Sequence, residues 1–181
     1  MNAPLPIDVS QSLPEHAYDK VARTSNEVAG LLAKRLRSDT RGEVLFSAAD
    51  RGRYATDASI YQEMPVGVFV PRDEGDVRVA LDICRDLGVP IVPRGGGTSQ
   101  CGQTVGAGLV IDHSKHMRKI MAVDPEQRTA TVEPGLVLDH LNAALKSHGL
   151  WYPVDVSTSA QATLGGMAGN NSCGSRSIAY G

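Results

Sequence analysis

The sequence predicts a mixed α+β chain, layered as an α/β sandwich, and three observations carry that prediction. Short β-branched runs alternate with longer segments whose apolar residues recur every three or four positions. The stretch from Val66 to Val92 reads strand, helix, strand, a unit that lays its two strands parallel in one sheet. Further on, Ile120–Val123 and Thr129–Val132 flank the turn residues Asp124-Pro-Glu-Gln127, the pattern of an antiparallel hairpin.

Residues 1–16 carry Pro4, Pro6 and Pro14 with few apolar side chains and read as a flexible arm. Residues 17–63 read as a helical entry segment. Its helix runs from about Ala17 to Arg37, with Val21, Val28, Leu31, Leu32 and Leu36 on one side. That helix is expected to precede the main domain rather than join it, and Arg53 to Gln62 to pack on the surface as a helix and turn. The main domain, 64–181, opens with the strand Val66–Val70. Asp73 caps a helix to about Leu87, with Val77, Ala80, Leu81, Cys84 and Leu87 inward and Gly88 at its end. Residues 88–92 read as a buried strand, and Leu109–Ile111 as the next. A helix from about Leu136 to Ser147 buries Leu138, Leu141 and Leu145 and stops at Gly149.

Composition narrows the function. The 181 residues are 41% hydrophobic with a formal net charge of −2, which suits one soluble domain and perhaps a subdomain. No apolar run is long enough to span a membrane, no basic-then-apolar leader opens the chain, and cationic residues do not cluster with aromatics. Neither a transmembrane segment nor a nucleic-acid partner is expected. Cys84, Cys101 and Cys173 are odd in number and lack metal-ligand spacing, so a reduced, cytoplasmic chain without disulfides is expected. His113 and His116 have no third ligand in sequence, and no metal site is expected. His140 and His148 read as surface or packing residues, Cys84 as a core thiol and Cys173 as structural.

The most telling segment is Pro93-Arg-Gly-Gly-Gly-Thr-Ser-Gln-Cys-Gly-Gln103, which puts four glycines and two hydroxyls directly behind a strand. Consecutive glycines bring bare backbone N–H groups up to a ligand, and clustered N–H donors make a nest for phosphate. No lysine follows the glycines, so this is not a P-loop. Position 100 is Gln, and Gly102 to Gly108 is too rich in glycine for a helix, so it is not a Rossmann fingerprint. A single glycine run usually marks a turn. Here a second stretch, Pro153-Val-Asp-Val-Ser-Thr-Ser-Ala-Gln-Ala-Thr-Leu-Gly-Gly166, continues through Asn170-Asn-Ser-Cys-Gly174 to Tyr180-Gly181.

Together the two segments resemble the FAD-binding motifs of the p-cresol methylhydroxylase and vanillyl-alcohol oxidase family, in the wording of its D-2-hydroxyacid dehydrogenases (D-lactate, glycolate and D-2-hydroxyglutarate types). The resemblance implies a PCMH-type FAD-binding domain that lacks its last strands and its substrate cap, hence the N-terminal part of a longer enzyme, inactive alone. It implies FAD contacts from Pro93, Arg94, Gly95, Gly96, Gly97, Thr98, Ser99, Gly102 and Gln103. From the second stretch it implies Ser157, Ser159, Thr163, Gly165, Gly166, Asn170, Asn171, Ser172 and Gly174. The histidine that carries flavin covalently in some relatives is matched by Gly97, so non-covalent FAD is expected. The implied reaction is oxidation of a D-2-hydroxyacid to its 2-oxoacid by hydride transfer to FAD. No catalytic base is assignable, the substrate is expected to bind through missing domains, and the electron acceptor is unknown. Relatives with the closest wording also carry a C-terminal iron–sulfur region. Two readings stay open beside this one: a same-fold flavoenzyme for an aryl alcohol or cell-wall precursor, and a non-catalytic truncated nucleotide-binding module.

Overall fold

The computed structural model describes residues 15–180, with side chains from residue 26 onward. Residues 1–14 of the expected arm, and the side chain of Val21, lie outside the described residues. Helix α1 spans Glu15–Asp39. Leu32 and Leu36 are fully buried, while Leu31 is 47% exposed and does not belong to the inward stripe. The helix lies against α3 (Glu74–Leu87) and enters one core with Phe69, Ala80, Ile83, Leu109 and Ile111. It is therefore packed into the domain it was expected merely to precede.

The main sheet has four strands in the order β1-β2-β4-β3: β1 (Glu43–Leu45), β2 (Gly67–Val70), β3 (Ile91–Arg94) and β4 (Leu109–Asp112). The strands β2, β4 and β3 are parallel, and β1 joins β2 antiparallel. Three residues opening on a glutamate give no strand pattern, which is why β1 was not foreseen. Central strands β2 and β4 are buried at every position. One face meets α1 and α3 through Phe69, Leu109 and Ile111; the other sets Val68, Val70 and Val110 against Leu45, Tyr54 and Val92. Period-2 alternation thus sends successive side chains into two different apolar layers.

Helix α3 (Glu74–Leu87) starts where the Asp73 carboxylate accepts the Asp76 N–H at 3.0 Å, and ends at Gly88 with φ 65°. Its inward stripe is Asp76, Ala80, Ile83 and Cys84; Leu81 is exposed, contrary to expectation. The stripe was misread because a carboxylate opens it. Buried Asp76 accepts the backbone N–H groups of Arg41 and Arg72 at 3.0 and 2.9 Å, which satisfies its charge locally. Burial pushes the Cys84 thiol up to about 11, as befits a core residue.

The strand expected over 88–92 is displaced. It begins at Ile91 and takes in Pro93 and Arg94, and as the edge strand β3 it is only half-buried. A proline, which cannot donate to a ladder, is tolerated at such an edge.

A second layer holds the hairpin β5 (Ile120–Asp124) and β6 (Thr129–Val132), whose turn closes as Asp124 Oδ1 accepts the N–H groups of Glu126 and Gln127. Helix α4 (Leu138–Leu145) passes into a tighter turn over Lys146–His148 and stops at Gly149, φ 67°. Leu136, Leu141 and Leu145 pack under Ile120, Val123 and Val132. Three short helices complete the chain: α2 (Ala48–Arg53), α5 (Leu164–Gly169) and α6 (Ser177–Tyr180). Three glycines in the six residues of α5 hid it from a propensity reading.

Candidate cofactor site

The glycine loop leaves the carboxyl end of β3 and is gripped from behind. The Arg94 guanidinium donates to the carbonyl of Thr56 at 2.9 Å, that of Thr104 at 3.3 Å and that of Tyr54 at 3.4 Å. It also stacks 5.3 Å from the Tyr54 ring centroid. Gly97, at φ 65°, lies against that guanidinium, and its carbonyl accepts the Ala58 N–H at 3.1 Å. The Tyr54 hydroxyl donates to Asp112 at 2.7 Å, and burial followed by that carboxylate pushes the phenol far above its usual range. Residues 54–62 lie at the surface as expected, with Ala55 alone buried, and from there form a bracket under the loop.

Held this way, the loop lines one side of a cavity. Those of Gly96, Gly97, Thr98 and Ser99 donate to no protein acceptor among the described residues. This is an open nest for an anion. The Ser99 hydroxyl is engaged inside the loop instead, accepting from the Cys101 and Gln103 N–H groups and bonding the Gln103 side chain.

The second motif closes on the first. A methyl group at Gly95 would overlap the Thr163 hydroxyl, and one at Gly96 the carbonyl of Gln161. The two glycines are therefore where the motifs touch. Gln103 Nε2 donates to Asn170 Oδ1 at 2.8 Å, and Asn170 Nδ2 donates to Ser172 Oγ at 3.0 Å. Asn171 turns the chain there with φ 47°.

Between the motifs lies a cavity of about 650 Å³. Pro93, Arg94, Gly95, Gly96, Gly97, Thr98, Ser99 and Gln103 line one side; Ser157, Thr163, Gly165, Gly166, Asn170, Asn171 and Ser172 line the other. Three expected residues stand outside it. Gly102 (φ 76°) packs on the Tyr61 ring, the Ser159 carbonyl accepts the Asp139 N–H at 3.2 Å, and Gly174 rests on Asp155. The wall also includes residues that sequence reasoning missed, among them Thr104, His113, Pro134, Val156 and Met167. Cys173, read as structural, is exposed on this wall with Cys101. His116, by contrast, pairs with Glu43 at 2.8 Å, away from the cavity. His113 follows Asp112, the residue in register with Arg94 on the neighbouring parallel strand. Only that pairing, invisible in the sequence, brings it to the loop.

No Asp or Glu lines the cavity, so nothing on its wall repels an anionic ligand. Two buried side-chain atoms of wall residues lack partners among the described residues: Thr163 Oγ1, on a residue 2% exposed, and His113 Nδ1. Leaving such an atom unpaired costs about 1–3 kcal/mol, and the Thr163 hydroxyl is turned onto Gly95 rather than into the cavity. Burial holds the His113 imidazole below the usual histidine range, although Asp112 opposes this.

A largely parallel sheet with unpartnered loop N–H groups at a strand's carboxyl end, closed by a second motif over a carboxylate-free cavity, defines a domain for a phosphate-bearing cofactor. Comparison with known proteins makes this specific. The family described as "FAD binding domain" matches residues 65–181, and the chain belongs to it. The chain is 44% identical over 147 residues to D-2-hydroxyglutarate dehydrogenase of Pseudomonas putida, covering 80% of this chain and 15% of that enzyme. It is 43% identical over 141 residues to the glycolate oxidase subunit GlcD of Bacillus subtilis, covering 75% of this chain and 30% of that one. The chain thus spans a minor part of the length of these relatives. The fold is shared with an alkyldihydroxyacetonephosphate synthase, at TM-score 0.74 and 21% identity over 84% of this chain and 34% of that one. It is also shared with p-cresol methylhydroxylase, at TM-score 0.55 and 20% identity over 89% and 30% of the two chains. The PCMH-type fold and the FAD class of cofactor are as the sequence implies. The unpartnered N–H groups, the glycine-lined wall and the absence of lining carboxylates fit such a group.

Proposed function

We propose that this chain is the N-terminal FAD-binding part of a flavin-dependent oxidoreductase that oxidises a D-2-hydroxyacid of the lactate, glycolate or 2-hydroxyglutarate class to its 2-oxoacid. The observation that carries this is the cavity between the two motifs, read with the chain's likeness to D-2-hydroxyglutarate dehydrogenases and to GlcD. When bound, FAD supplies a two-electron acceptor for the hydride from the hydroxyacid C2. The chain's own residues bind and orient it. The N–H groups of Gly96 to Ser99 would hold its phosphates, and Thr163, Gly165 and Gly166 would form the opposite wall. The Gln103–Asn170 bond latches the two motifs together at the cavity. Non-covalent binding is supported by Gly97, which offers no side-chain nucleophile. The carboxylate grip on the substrate and the base for its hydroxyl proton are assigned to no residue of this chain.

No described helix is long and apolar enough to cross a membrane. The three unpaired thiols support a reducing, cytoplasmic setting.

The test is native mass spectrometry of the protein from its source, then anaerobic addition of D-2-hydroxyglutarate, D-lactate or glycolate. The expected result is one FAD per chain, lost on denaturation, whose visible absorbance bleaches with one of these acids. Retained flavin that bleaches only with an aryl alcohol moves the substrate class. A chain purified without flavin and refractory to FAD ends the enzymatic reading.

A further inference from the structure

The chain has three cysteines, and two of them lie on the wall of one cavity. Cys101 belongs to the glycine loop and Cys173 to the second motif, so both halves of the site contribute a thiol. Both are free and exposed, whereas Cys84 is 1% exposed in the core. Their backbones are fixed. The Cys101 N–H donates to Ser99 Oγ at 3.2 Å, and the next residue, Gly102, packs on the Tyr61 ring. Cys173 follows Ser172, whose N–H donates to the Met167 carbonyl at 2.8 Å. It precedes Gly174, whose N–H donates to Ser177 Oγ at 2.8 Å. The Gln103–Asn170 bond ties the two segments together, close in sequence to each cysteine. Two accessible nucleophiles thus share the wall of the cofactor cavity, and neither is used by the core or by the two motifs' expected contacts.

We propose that Cys101 and Cys173 are cofactor-gated modification sites, open to exchange with an anionic small-molecule disulfide when the cavity is empty and closed when FAD fills it. This rests on the FAD-binding reading above and adds a regulation of that same site. In the exchange the cysteine thiolate attacks one sulfur of the disulfide and that S–S bond breaks. A new S–S bond forms to the protein, and one equivalent of the small thiol leaves with the electron pair. The adduct then stands on the wall that the cofactor covers, so modified protein rejects FAD until excess thiol reverses the exchange. The wall carries no carboxylate and offers unpartnered loop N–H groups, which admits a negatively charged reagent such as oxidised glutathione. Cys84 is the internal control, because its burial denies it both access and ionisation.

The protein at its full natural length is stripped of flavin and exposed to oxidised glutathione, and the adducts at each cysteine are followed by peptide mass mapping. In the empty protein Cys101 and Cys173 should gain glutathione while Cys84 does not. At a free FAD concentration 100 times its Kd about 1% of the molecules are empty, so adduct formation at both sites should slow by roughly a hundredfold. The coupling is reciprocal. Glutathionylated protein should therefore bind FAD at least about tenfold more weakly in a flavin fluorescence titration, and excess dithiothreitol should restore the affinity. The double variant Cys101→Ser, Cys173→Ser should show one Kd for FAD, the same with and without oxidised glutathione, which assigns the effect to these two thiols.

Adducts that form at either cysteine as fast with FAD as without it overturn the proposal and leave the FAD reading intact. So does an empty protein in which neither thiol reacts, or an adduct that leaves the FAD affinity unchanged. A double variant that still loses affinity under oxidised glutathione overturns it as well. Wild-type protein that takes up no FAD overturns the FAD reading and this proposal with it.

Discussion

Gly95 has no room for a methyl group, because the Thr163 hydroxyl occupies the place where one would sit. Thr163 is β-branched and 2% exposed, so it cannot swing aside without disturbing its neighbours. Gly95→Ala should therefore separate the two motifs, costing about 1–3 kcal/mol of stability in urea unfolding and most of the FAD affinity. Gly30 is the contrast. It lies in α1 with open space where a Cβ would go, and Gly30→Ala should stabilise the protein by about 0.5–1 kcal/mol with FAD binding unchanged. The same residue type is thus indispensable in one place and a weakness in another. The sequence marks Gly95 by its motif, but the atom that excludes a side chain there lies 68 positions further on.

At the scale of elements, the segment from Tyr54 to Gln62 acts as a bracket that sets the glycine loop before any ligand arrives. Arg94, a residue of the first motif, aims its guanidinium away from the cofactor side and into the bracket's carbonyls. Asp57 ties the bracket to the loop's far end, accepting from the Thr104 hydroxyl at 3.0 Å and the Ser59 N–H at 2.8 Å. Partial burial raises the Asp57 carboxyl, but the donors of Ser59 and Thr104 outweigh it and hold the group below its ordinary 3.8. A carboxyl depressed in the folded state contributes stability above its unfolded value and loses it as pH falls through the folded one. Thermal melts of wild type and Asp57→Asn should therefore differ at pH 6, with wild type higher, and converge as pH drops below about 4. A gap that persists at low pH would mean that the charge plays no part. None of this bracket follows from composition or spacing. Residues 53–62 read as a surface helix and turn, and their role as a bracket depends on carbonyls whose direction only the folded backbone sets.

For the whole molecule, cofactor binding and folding are one equilibrium. The cavity is shared by the parallel sheet and the second motif, so bound FAD should hold the two together. At a free FAD concentration 100 times its Kd the native state gains about 2.7 kcal/mol, and the melting temperature should rise by roughly 5–10 °C. A melt insensitive to FAD would mean that the cavity does not take it. The sequence by itself determined the strand–helix–strand unit, the caps at Asp73 and Gly88, the β5–β6 hairpin and the two glycine motifs, because each is written in local spacing or in the conformational demands of single residues. Only the tertiary structure decided that β4 lies between β2 and β3, that α1 and β1 belong to the domain, and that His113 faces the cofactor cavity while His116 does not. Strand order, shared cores and the neighbours of an orphaned atom join residues far apart in the chain, and no local signal encodes which distant surface will come to meet them.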